Sequence, residues 1–161
     1  MASFKIETKN LFKLQLKYSE AAEKFKEFAI KELNDTVTKI ELKAKEESSP
    51  ARLRILNPNS KYKRTGRLSN SISSTPFNGR YATITIGKGI NYAPYVEFGT
   101  GSGYGYPYRI AANLKNRIES LASLYKGSGQ KNANMAARPF FFNNVNNGRN
   151  SLYRRMKSFK P

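Results

Sequence analysis

Glu97 is the one carboxylate between Glu47 and Glu119, and it lies between Val96 and Phe98 in an apolar stretch. A carboxylate so placed has two uses, as a general base or as the acidic half of an ion pair. General base catalysis needs a second acid, a metal ligand or a nucleophile with its own partner, and the neighbouring sequence offers none. The expectation is a structural ion pair, with Arg67 or Arg138 supplying the cation. Histidine and cysteine are both absent from the chain. Their absence removes the Ser-His-Asp triad, the Cys-His pair, thiolate metal sites and disulfides together. No catalytic residues, metal site or cofactor is therefore expected.

Two other stretches invite a chemical reading. Gly99, Gly101, Gly103 and Gly105 alternate with Thr100, Ser102 and Tyr104, a spacing that is neither the dinucleotide fingerprint nor a phosphate-cradling loop. Gly87-Lys88-Gly89 lacks the Ser or Thr that would hold magnesium. A mobile loop is the better reading of the glycines. Tyr62, Tyr104, Tyr106, Tyr108, Tyr125 and Tyr153 stand among Lys61, Lys63, Arg64, Arg109, Lys126, Arg154 and Arg155. Such interleaving can stack bases and neutralise phosphates. No nucleic-acid-binding signature accompanies it, and Tyr and Arg are also favoured at protein interfaces, which is the preferred reading here.

The chain carries 29 Lys and Arg against 11 Asp and Glu, a net charge of +18, which points to polyanions or an acidic protein surface as partners. The excess is unevenly placed. Residues 1–49 hold 10 basic and 9 acidic residues, whereas residues 50–161 hold 19 basic residues and only Glu97 and Glu119 as acids. No run approaches the roughly 18 apolar residues of a spanning helix, and the N-terminus lacks a signal-peptide core. A cytosolic chain with no membrane partner is expected.

These residues need a scaffold, and 161 residues suit one domain. Phe4-Lys5-Ile6-Glu7 alternates like an edge strand. Over residues 10–47, Leu11, Leu14, Tyr18, Ala21, Phe25, Phe28, Leu33, Val37, Ile40 and Ala44 draw one apolar stripe, predicting a helix longer than a compact domain needs and partly projecting. Glu20 with Lys24, Glu27 with Lys31, Asp35 with Lys39 and Glu41 with Lys45 have the favoured spacing and order for helical ion pairs. A short helix fits between Pro50 and Asn57. Thr65 is expected to cap one or two helical turns containing Leu68 and Ile72, and Ser73-Ser74-Thr75-Pro76 to break them. Asn78-Gly79 before the alternating run Tyr81–Ile86 is a hairpin signal, with Ala82, Ile84 and Ile86 facing the core.

Asn91–Phe98 reads as a short helix ended by Gly99 in the left-handed conformation. Residues 101–136 read as an inserted loop, helix and loop, with the helical stripe between Ile110 and Tyr125. Pro139 suits the first position of a last helix, in which Gly148 weakens the middle. Helix, then strand, then helix predicts an α+β fold, a small antiparallel sheet packed on the long N-terminal helix and the C-terminal helix. The core is assigned to residues 50–100 and 137–161.

Three segments in order then become recognisable: Thr65-Gly66-Arg67-Leu68 with Ser71-Ile72, then Tyr92-Ala93-Pro94-Tyr95-Val96-Glu97-Phe98-Gly99-Thr100, then Ala137-Arg138-Pro139-Phe140. Together with the long charged helix before them, they resemble the neck and tail-completion family of long-tailed bacteriophages. The insertion is longer than the turn usual there, and Asn143-Asn144 stands where that family tends to have Pro-Ala. The resemblance implies a non-enzymatic virion protein of the neck or tail end, assembled in the host cytoplasm as a six-fold ring. Its partners would be further copies of itself, the connector, and tail-terminator or tail-tube proteins, with double-stranded DNA passing through the ring. The alternative is a basic nucleic-acid-binding protein acting on its own.

A closed ring requires heterologous contacts. Tyr92, Tyr95, Val96 and Phe98 point apolar groups in more directions than one buried face absorbs, so with Phe140 they are expected at the subunit interface. Arg109, Lys115, Arg117, Lys126 and Lys131 give the insertion a cationic surface suited to DNA or to an acidic partner.

Overall fold

A computed structural model of the chain describes residues 8–52, 65–86, 89–100, 112–126 and 136–160. The strand expected at Phe4–Glu7 lies outside them. Helix α1 spans Thr8–Glu47, about 60 Å at 1.5 Å per residue. Its apolar stripe is covered unequally. Val37, Ile40 and Ala44 are buried, whereas Tyr18 is 69% and Phe25 42% exposed. The helix stops where the Ser48 hydroxyl donates to the Ala44 carbonyl at 2.7 Å, just ahead of Pro50, whose ring disfavours helical geometry in Ser49. Residues 50–52 are helical again, and the remainder of the short helix expected there lies outside the described residues.

Helix α2, Arg67–Asn70, buries Leu68 and Ser69, and Ile72 follows it into the core. Its cap is not Thr65. Gly66 occupies the capping position at φ 73°, in the left-handed region that glycine enters without steric cost. The Ser69 hydroxyl donates back to its carbonyl at 2.9 Å.

Ser73-Ser74-Thr75 does more than break this helix: it is strand β1, Ser73–Thr75, antiparallel to β2, Thr83–Thr85, in the register Ser73 with Thr85 and Ser74 with Ile84. The turn between them uses the expected Asn-Gly pair. Gly79 has φ 94°, and the Asn78 side-chain oxygen accepts the amides of Arg80 and Tyr81 at 3.1 Å. Two short strands are marginal by themselves, and α1 supports them. Glu41 accepts the Ser74 amide at 2.8 Å and the Ser74 hydroxyl, and Asn34 accepts the Phe77 amide at 2.8 Å.

Helix α3, Ala93–Phe98, is followed by α4, Ala112–Lys126, which lies against it and buries Ile118 and Ala122. Helix α5, Phe142–Lys157, runs along α1. Arg155 holds the two together, pairing with Glu32 and donating to the Thr36 hydroxyl at 2.7 Å. Past the end of α5 the Phe159 ring sits 5.2 Å from that of Phe25 and 5.0 Å from that of Phe28. The core gathers Ala44, Leu68, Ile72, Ile90, Ala93 and Phe140, with Ile84 and Ile86 packed on it from the hairpin. Strands and helices thus share one α+β core, as the element order predicts.

Candidate assembly site

The three recognisable segments meet in space. Leu68 and Ile72 come from the first, Ala93 from the second and Phe140 from the third, all in the same buried cluster. Tyr92-Ala93-Pro94 opens α3 with proline in its first turn, where a missing amide hydrogen costs nothing. Gly99 closes α3, and its amide reaches the Tyr95 carbonyl at 2.9 Å. Gly99 adopts φ 73° with ψ −177°, extended in ψ rather than the expected left-handed cap, and that combination is essentially reserved for glycine. The Arg138 amide then donates to the Val96 carbonyl at 2.9 Å, joining the third segment to the second.

Glu97 completes the join. Its side chain is 3% exposed, and its two oxygens accept three successive amides: Phe140 at 2.9 Å, Phe141 at 3.1 Å and Phe142 at 3.0 Å. Phe142 opens α5, Phe141 is its capping residue and Phe140 precedes it, so the carboxylate takes up amides at and just before the first turn. The carboxylate thus caps a helix that begins 45 residues later, and its charge also faces the positive end of that helix's dipole. The expected arginine pairing is not formed: among the described residues neither Arg67 nor Arg138 makes an ion pair with Glu97. Arg67 is exposed and Arg138 half-buried.

The cap also moves the helix start. Pro139 is expected at the first helical position, but α5 begins at Phe142, after the amides of Phe140 and Phe141 have turned to the carboxylate. Phe141 at the capping position contributes no side-chain acceptor, and the Glu97 carboxylate stands in its place.

The residues expected at a subunit interface divide. Phe98 is 1% and Phe140 3% exposed, and Phe98 stacks on Phe142 at 5.8 Å, so both belong to the core of this chain. Tyr92 is exposed, and Tyr95 and Val96 are half-buried. Of the cationic set, Lys115, Arg117 and Lys126 fall on α4, while Arg109 and Lys131 lie outside the described residues.

Beside Glu97 an open cleft of about 550 Å³ is walled by Ile84, Ile86, Ile90, Pro94, Leu121 and Phe141, among others. Among the described residues no cluster of three or more His, Cys, Asp or Glu side chains stands ready for a metal, and no helix is long and apolar enough to cross a membrane. Asn144 was not anticipated as a structural residue. It is buried, and its amide nitrogen bridges the Glu47 carboxylate and the Phe140 carbonyl, each at 2.8 Å. An amide is therefore of use at this position, where the resembled family tends to have alanine.

A family model described as "Bacteriophage HK97-gp10, putative tail-component" matches residues 12–99, from the second turn of α1 to the glycine that closes α3. The chain belongs to this family. It is a family of bacteriophage tail components, the class of part implied by the sequence resemblance. No curated protein and no solved structure matches the chain. The matched residues of this HK97-gp10-like chain include Glu97, whereas the amides it caps lie beyond them.

Proposed function

We propose that this chain is a structural, non-enzymatic subunit of the phage neck. It forms a six-fold ring that joins or completes the tail at the head-tail connector, with DNA passing through the opening. The family match carries this reading, since it takes in both the long helix and the Tyr92–Gly99 segment. Its partners are further copies of itself, the connector, and a tail-terminator or tail-tube protein, and its place is the virion. Tyr92, with the half-buried Tyr95 and Val96, supplies part of the contact between subunits. Disrupting the gene in its phage and viewing the lysate by electron microscopy tests the proposal. Full heads and tails that fail to join, restored by the gene in trans, are the expected outcome; normal virions would end the reading.

One observation favours a second reading, in which the chain binds nucleic acid on its own. Helix α5 bears exposed Arg149, Arg154 and Lys157, with exposed Lys160 just beyond its end, and no acid lies between Phe142 and Lys160. Lys157 lies over the exposed Tyr153 ring at 4.6 Å. Mass photometry beside DNA binding at two salt concentrations separates the readings. A monomer whose tight DNA affinity falls steeply with salt would favour the second.

A further inference from the structure

Strand β2 has an unused border. The Ser74 amide points to Glu41, so Ser74 and Ile84, opposite each other in the register, form a non-hydrogen-bonded pair. The amide and carbonyl of Ile84 therefore point away from β1. Among the described residues neither meets a partner, and a strand border in that condition can accept a further strand. The Ile84 side chain meanwhile lines the cleft beside Glu97, together with Ile86, Ile90, Pro94, Leu121 and Phe141. A strand added to β2 would thus set every second side chain over an apolar recess.

The chain carries a segment with the matching pattern. Phe4-Lys5-Ile6-Glu7 alternates apolar with polar residues, which puts Phe4 and Ile6 on one face of an extended chain and Lys5 and Glu7 on the other. It runs directly into α1 at Thr8. Asn34 and Glu41, which hold the hairpin, lie about 40 Å and about 50 Å further along that helix. Four extended residues span at most about 14 Å. The segment therefore cannot reach the hairpin of its own chain. The helix instead carries it outward: between Leu16 and Lys24 every side chain except the half-buried Ala21 is exposed, so this end of α1 stands out from the core as an arm.

We propose that residues 4–7 of one copy add as a third strand to β2 of the next, with Phe4 and Ile6 seated in the cleft. Donor segment and acceptor border are different surfaces, so the contact is head-to-tail, the kind that closes into rings. The inference rests on the ring reading above and names one contact that joins its subunits.

The chain has no cysteine, so introduced thiols report the contact directly. With Phe4 and Ile6 on the Ile84 side of the sheet, Lys5 falls on the side of Thr83 and Thr85 and across from one of them. Lys5→Cys protein is co-expressed with differently tagged Thr83→Cys or Thr85→Cys protein, purified and oxidised. At least one combination should give a disulfide-linked pair of unlike chains. Lys31→Cys, exposed on α1, takes the place of Lys5→Cys as the control and should give none. Separately, a chain carrying both Phe4→Ser and Ile6→Ser, its folding checked by circular dichroism, should lose the closed oligomer that light scattering finds for the wild type. Absence of the link in both combinations, a control that links as readily, or a folded double variant that assembles as the wild type does overturns the strand addition while the ring stands. A wild-type chain that remains monomeric at every concentration would overturn the ring reading, and this contact with it.

Discussion

A β-carbon on Gly148 would lie 2.6 Å from both Cδ1 and Cγ1 of Ile40 and 3.4 Å from the Thr36 methyl. Glycine is thus what lets α5 approach α1 so closely. Ile40 is 6% exposed and cannot swing into solvent. Alanine would gain about 1 kcal/mol in helix propensity, but it would overpack this contact at about 1–3 kcal/mol. Gly148→Ala should therefore lower the urea midpoint by a net amount on the order of 1 kcal/mol. In an Ile40→Ala background the obstruction is gone, and the same change should be neutral or stabilising. A higher midpoint for Gly148→Ala alone would show that the helices separate freely.

The Glu97 cap makes a graded prediction. Glu97→Ala leaves three amides at the start of α5 without their acceptor and should cost about 2–3 kcal/mol. Glu97→Gln keeps one acceptor oxygen but turns an NH₂ group toward an amide donor, and should cost about 1–2 kcal/mol. In both variants hydrogen exchange should quicken at residues 140–142 before it quickens in α1. An unchanged midpoint for Glu97→Ala would mean that solvent satisfies these amides equally well.

Much of this architecture is legible in the sequence because it is periodic or local. The α1 stripe, the Asn78-Gly79 turn and the inward placement of Ile84 and Ile86 each follow from a short spacing rule. What was misread depends on distance in the chain. Glu97 is recognisable as an acid that needs a partner, yet three of its partners are main-chain amides, which carry no residue-type signal. Gly148 reads only as a weak point until the facing side chain is known. The ion pairs show the same limit. Of the four spaced for α1, Glu41 with Lys45 forms at 2.5 Å, and Glu23 with Lys26 forms beside them at 3.7 Å. The other three are not made among the described residues, as expected where solvation of exposed groups offsets most of the gain. The helix of the insertion is readable as amphipathic, but nothing in its own sequence says that it lies against α3 with Ile118 and Ala122 buried.

Acid should loosen the contact between the hairpin and α1. The hydrogen bond from Lys45 and then that from the Ser74 hydroxyl hold the Glu41 carboxyl below its ordinary value of 4.5, against the opposing effect of burial. The folded chain thus keeps this group ionised at a pH where the unfolded chain has begun to take up protons. The resulting stability is complete above the ordinary value and is lost as the pH falls through the lower, folded-state value. Glu41→Gln should be less stable than the wild type at neutral pH, and the gap should narrow in acid. Urea unfolding at pH 7 and at about pH 3 checks this, and a gap of constant size would show that ionisation of Glu41 does not support the fold.

The bond between Ser74 and Glu41 also has a consequence for growth of the sheet. An edge strand presents unpaired amides that invite another chain to add a strand. On the β1 side the Ser74 amide is already taken by Glu41, and the Phe77 amide just beyond the strand by Asn34. Helix α1 therefore closes one border of the hairpin to strand addition. Any extension of this sheet by a foreign strand is confined to the β2 border, so the hairpin has a single direction of growth and cannot serve as a link in a two-sided chain of sheets.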